Sequence, residues 1–127
     1  MSEKIQSHKD LIVWQKSVEL VLDVYRLTRQ LPHDELYGLV SQMRRSAVAI
    51  SSNIAEGYQR NHRKEYIQFL YIAKGSASEL ETQLIIAKRL EFIVAADYQR
   101  IDNLLTEILK MLSAMILRLQ NKMDSKR

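Results

Sequence analysis

The amino-acid sequence predicts an all-α protein, an up-down-up-down antiparallel four-helix bundle. Three observations carry that prediction. The 127 residues include only three Gly and one Pro, too little turn punctuation for a set of strands. Apolar residues recur at alternating spacings of four and three along separate stretches, the mark of helical faces. The stretches are joined by short connections, and short links between long helices force antiparallel neighbours. With 46% hydrophobic and 27% charged residues, the chain suits a single domain over residues 1–127 with a real core.

The first helix is expected from about Asp10 to Gln30, with Asp10 as N-cap because its carboxylate can accept from free backbone N–H groups. Trp14, Val18, Val21 and Tyr25 fall on one face. Leu31-Pro32 ends it, since proline disfavours helical geometry in the residue before it. The second helix is expected from Asp34 to Gly57 or Tyr58, with a seam of Val40, Met43, Ala47, Ile50 and Ile54. Asp34 and Glu35 suit the positive end of its dipole, and Gly57 can adopt positive φ at its end.

The third helix is expected from His62 to Glu91 with Asn61 as N-cap. Its seam, Tyr66, Leu70, Ala73, Ala77, Leu80, Leu84 and Ala87, is an unbroken heptad pattern. The fourth is expected from about Ala96 to Asn121 on Ile101, Leu105, Ile108, Leu112, Met115 and Leu119. Helix four also carries Leu104, Leu109, Met111, Ile116 and Leu117 off its seam. Helix three carries Ile67, Phe69, Tyr71, Ile72, Ile85 and Ile86. An isolated bundle needs one apolar stripe per helix, so this excess predicts a homo-oligomer.

No catalytic constellation is present. His8, His33 and His62 lie at chain ends or turns. His62 and Glu65 have ligand spacing but no third partner, so no metal is expected. Gly38, Gly57 and Gly75 stand alone and build no phosphate-cradling loop, and no Gly-x-Ser-x-Gly elbow occurs. Ser41, Ser46, Ser51, Ser52, Ser76 and Ser78 are read as small residues that let helices two and three approach. With no cysteine, disulfides and thiolate metal sites are excluded. The reading is therefore non-enzymatic, with no cofactor. The first ten residues lack the apolar core of a signal peptide, and charges interrupt Leu104–Leu119, so a cytoplasmic protein without a membrane span is expected. Among polar residues beside the seams, Arg44, Asn53, Glu56 and Glu79 read as structural. Antiparallel counting brings Arg44 within a turn of Glu79, which suggests a semi-buried pair.

The net charge of +4 is unevenly placed. In the predicted topology, residues 1–10, 56–65 and 118–127 share one end and carry nine bases against five acids, the whole net charge. At the other end, residues 26–35 and 88–103 carry five of each. Arg60, His62, Arg63 and Lys64 beside Tyr58, joined by Lys122 and Lys126, form a candidate phosphate- and base-binding cluster. Arg63 and Lys64 are not favoured by the dipole at a helix N-terminus, which raises the case for a partner.

Several runs carry a resemblance. They are Lys9-Asp10-Leu11, Val13-Trp14-Gln15-Lys16, Tyr37-Gly38-Leu39, Ser41-Gln42-Met43-Arg44-Arg45, Ser52-Asn53-Ile54-Ala55-Glu56-Gly57, Ala73-Lys74-Gly75-Ser76 and Glu79-Leu80-Glu81-Thr82. Over residues 8–120 the chain resembles the four-helix-bundle proteins encoded in intervening sequences of large-subunit ribosomal RNA genes. That family is distantly similar in fold to the accessory variability proteins of diversity-generating retroelements. The family pattern has a proline before the Ser-Asn pair, where this chain has Ser51. The resemblance implies a ring, a pentamer, and a nucleic-acid-linked role without catalysis. Two readings stay open: an oligomeric RNA- or DNA-binding protein using its basic end, or an adaptor that recognises another protein. An antitoxin-like regulatory partner is a third.

Overall fold

The computed structural model describes residues 4–124 and contains four long helices: α1 (Ile12–Thr28), α2 (Ser41–Tyr58), α3 (Arg63–Arg89) and α4 (Ala95–Asp124). Each packs on its chain neighbours, and α1 closes against α4, which makes the up-down-up-down bundle. No strand occurs among the described residues. No helix among them is long and apolar enough to cross a membrane.

One core joins all four helices. Leu20, Met43, Ile50, Leu70, Leu80, Leu84, Ile101, Leu105 and Leu112 are fully buried in it. The expected seams of α2 and α3 face this core. In α4 the seam holds through Leu112. Burial then moves from Met115 to Ile116, because a straight helix drifts relative to a strict heptad.

The α1 face differs from expectation. Val13, Ser17, Leu20, Val24 and Leu27 point inward, while Trp14 packs at the margin and Tyr25 is exposed. Asp10 does not cap α1. It belongs to a short 3-10 turn, His8–Asp10, and its carboxylate accepts from the backbone N–H of Gln6 at 2.9 Å and Ser7 at 3.2 Å. The residue before α1 is Leu11, with no side-chain cap. Nor does Asn61 cap α3: His62 takes that position, also without a side-chain bond.

Regular α2 begins at Ser41 instead of Asp34. A 3-10 turn (His33–Glu35) and a π-type turn (Leu36–Val40) precede it, with non-helical dihedrals at Gly38 and the Glu35 carboxylate accepting from Leu39 N–H at 3.2 Å. From there α2 runs without a break through Ser51 to Tyr58. Gly57 remains helical, because no glycine among the described residues has positive φ. It permits close packing instead: a Cβ there would stand 2.7 Å from Phe69 Cβ. Among the six serines, only Ser46 is buried, so Ala47, Ala73, Ala77 and Gly57 carry the close approach of α2 and α3. Helix α3 closes on Glu91 at φ 62°, with Glu91 N–H donating to Lys88 O and Phe92 N–H to Ala87 O.

Candidate nucleic-acid interface

The topology brings residues 4–11, the α2–α3 turn and the last turns of α4 to one end of the bundle. Lys4, Lys9, Arg60, Arg63, Lys64, Arg118 and Lys122 gather there against Asp10, Glu56, Glu65 and Asp124. Lys126 lies outside the described residues. The short link between Tyr58 and Arg63 leaves room for no regular structure, so its side chains project from the end of the molecule. Asn61, His62 and Lys64 are exposed, and Arg63 is half-buried beside Met123 in a shallow surface groove. The side chains of Arg63 and Lys64 make no ion pair or hydrogen bond among the described residues, so no neighbouring carboxylate is paired with their charge.

Arg60 is held more firmly. Its Nη2 donates to Glu56 Oε1 at 2.9 Å, one helical turn back. Its guanidinium lies over the Phe69 ring, 4.9 Å from the centroid. Glu56, expected to be a structural polar residue beside a seam, is exposed and serves this local pair. Behind the cluster, Tyr58 and Tyr66 meet edge to face at 6.1 Å. Burial pushes the Tyr66 phenol up to about 12, with Tyr58 adding to the shift and Arg118 opposing it. Tyr66 therefore stays neutral beside the bases.

The expected Arg44–Glu79 pair does not form. Arg44 Nε donates to Thr28 Oγ1 at 2.9 Å, and the guanidinium stacks over the Tyr25 ring at 4.4 Å. Counting along antiparallel helices sets height but not azimuth. Arg44 sits on the side of α2 that faces α1, while Glu79 is exposed and makes no ion pair among the described residues. Thr28 in turn donates to Val24 O at 2.8 Å, so the guanidinium is anchored to a buried hydroxyl. Arg44 thus fixes α1 against α2, a positioning role with a different partner. Asn53 is half-buried, and its amide donates to Ala49 O at 2.7 Å within its own helix.

Sequence reasoning missed the polar cluster at the opposite end. Asp23 is buried, and its Oδ1 accepts from Arg26 at 3.1 Å and Arg100 at 3.0 Å. A charged residue at a core-facing position of α1 was the signal, hidden by assigning the wrong face. Among the described residues, no group of His, Asp and Glu side chains is placed to hold a metal ion.

Comparison with known proteins places this geometry in a family. No curated protein matches the chain. A crystal structure of a protein with unknown function from the S23 ribosomal protein family of Bacteroides thetaiotaomicron is 33% identical, with a TM-score of 0.77, covering 83% of this chain and 98% of the other. A family model described as 23S rRNA-intervening sequence protein matches residues 9–114, almost the whole bundle and the start of the basic cluster included. The chain belongs to the 23S rRNA-intervening sequence protein family.

Proposed function

We propose that this chain is a non-enzymatic, cytoplasmic, single-domain protein that assembles as a homo-oligomer and binds RNA through its basic end. The observation that carries the reading is the pairing pattern at that end, where Arg63 and Lys64 have no paired carboxylate among the described residues while Arg60 is held in place by Glu56. The rRNA link in the family description favours RNA as the polyanion. Assembly is favoured by two exposed apolar pairs on α3, Tyr71 with Ile72 and Ile85 with Ile86. The excess apolar residues of α4 contribute less: Ile116 is buried, Leu104, Leu109 and Met111 pack on the core, and Leu117 is exposed. In a ring with parallel protomer axes, a pentamer by resemblance, the basic ends would sit side by side and their potentials would add.

Binding of this kind releases counterions, so affinity falls steeply with salt. The test is a salt series of RNA and DNA binding for the wild type and for Arg63→Glu combined with Lys64→Glu. The double variant should keep the wild-type light-scattering mass, a multiple of 14.9 kDa, because neither residue lies on a seam. It should bind far more weakly with a shallower salt slope. A wild type that binds neither polymer at low salt overturns the reading, and recognition of a protein partner then leads.

A further inference from the structure

Beside Arg60 a groove of about 500 Å³ opens between the N-terminal turn and the end of α2, lined by His8, Ser52, Ala55, Glu56, Gln59 and Arg60. Its chemistry differs from the rim around it. Glu56 and Arg60 neutralise each other across 2.9 Å, so the groove is polar without net charge. A phosphate would gain nothing there and would meet the Glu56 carboxylate. A neutral planar group with hydrogen-bonding edges fits better.

The groove is also built to hold a plane. The Arg60 guanidinium is fixed from one side by the Phe69 ring at 4.9 Å and along its edge by Glu56, yet its side chain remains 41% exposed. The guanidinium thus lies over an aromatic ring while part of the side chain stays open at the groove, and arginine planes stack unpaired bases. Gln59 is oriented as well: its Nε2 donates to His8 Nδ1 at 3.3 Å, and His8 in turn packs edge to face on Trp14 at 5.1 Å. With its amide nitrogen on His8, Gln59 has its carbonyl oxygen to offer, and the Glu56 carboxylate lines the same groove as a further acceptor.

We propose that this groove receives one unstacked RNA base, laid on the open face of Arg60 with its hydrogen-bonding edge toward Gln59 and Glu56. The inference rests on the RNA-binding reading above and adds to it a site with base preference. Acceptors from two residues lining the groove favour a base that offers an amino group, so adenine, cytosine or guanine enters in preference to uracil. The flanking phosphates run outward to Arg63 and Lys64.

The test measures binding of a 12-nucleotide uridine RNA and of versions whose central residue is adenosine, cytidine, guanosine or an abasic ribose. Amino-bearing bases should bind tightest, uridine next and the abasic RNA weakest, with at least about fivefold between the extremes, the low end for one stacked base. Arg60→Lys keeps the charge and removes the plane, so it should erase the difference between uridine and abasic RNA. Gln59→Leu should erase the preference for amino-bearing bases over uracil. Each variant's own affinity for abasic RNA is its reference, so any change in the electrostatic contribution cancels from these ratios. Equal wild-type affinity for all five RNAs overturns the base site and leaves the electrostatic reading intact, as does a preference that survives both substitutions. Failure to bind any of them overturns both.

Discussion

At the end that carries the α1–α2 and α3–α4 connections, charged side chains engage one another. Asp23 takes two arginines, Arg100 reaches Asp97 as well at 3.8 Å, Gln30 donates to Asp97 at 2.7 Å, and Lys88 lies over the Tyr98 ring at 4.3 Å. At the opposite end the same residue types are arranged otherwise. Asp10 is turned back on its own backbone, Glu56 pairs locally with Arg60, and Arg63 and Lys64 face solvent. Charge balance in this bundle is therefore a matter of geometry before it is one of counting. A carboxylate at a buried position gathers cations from two helices. Carboxylates at exposed turns do not, and the bases near them keep their reach.

The core between the ends sets the scale for every other change. Leu105 is fully buried at mid-bundle, and Leu105→Ala should cost about 2–5 kcal/mol in denaturant melts, the range for deleting a buried leucine. A loss below about 0.5 kcal/mol would mean that the bundle does not close around this layer. Next in size is Asp23→Asn, which keeps the shape and removes the charge that Arg26 and Arg100 share. The expected loss is about 1–3 kcal/mol, less than for a fully buried pair because both guanidinium groups are more than half exposed. An unchanged melt would place the neutral end on the same footing as the basic one and dissolve the contrast.

What the sequence makes legible follows from what periodicity can encode. The α3 seam from Leu70 to Ala87 was readable because large and small apolar residues alternate there with polar neighbours. The α1 face was not, since Trp14-Val18-Val21-Tyr25 and Val13-Leu20-Val24-Leu27 are two stripes of near-equal spacing. The stripe that faces the core contains Ser17 and Asp23, so hydrophobicity alone chose the wrong one. The basic end needed only the topology and the charges, both read from the chain. The contact of Arg60 with Phe69 was not readable, because Arg60 lies in the link after α2 and Phe69 on α3, and their meeting depends on how closely Gly57 lets α3 approach. The Arg44–Thr28 anchor was not readable for the same reason of azimuth.

The smallest expected effect bears most directly on the basic end. Glu56 sits in the last turn of α2, where the helix dipole disfavours a carboxylate, and its ion pair with Arg60 is exposed. These two contributions oppose each other, so Glu56→Gln should shift stability by no more than about 0.5 kcal/mol. Its electrostatic effect has a definite sign: removing one negative charge leaves the Arg60 charge uncompensated and raises the positive potential of the rim. At about 10 Å from a phosphate, one unit charge in water contributes only a few tenths of a kcal/mol, so abasic RNA should bind up to about twofold more tightly at low salt. The gain should vanish as the Debye length contracts toward about 3 Å at molar salt. Binding curves at the two salt concentrations, set beside the melt, check both halves. If Glu56→Gln destabilises the fold as much as Asp23→Asn does, the Glu56–Arg60 pair is a structural clamp, and the two ends of the bundle are built alike after all.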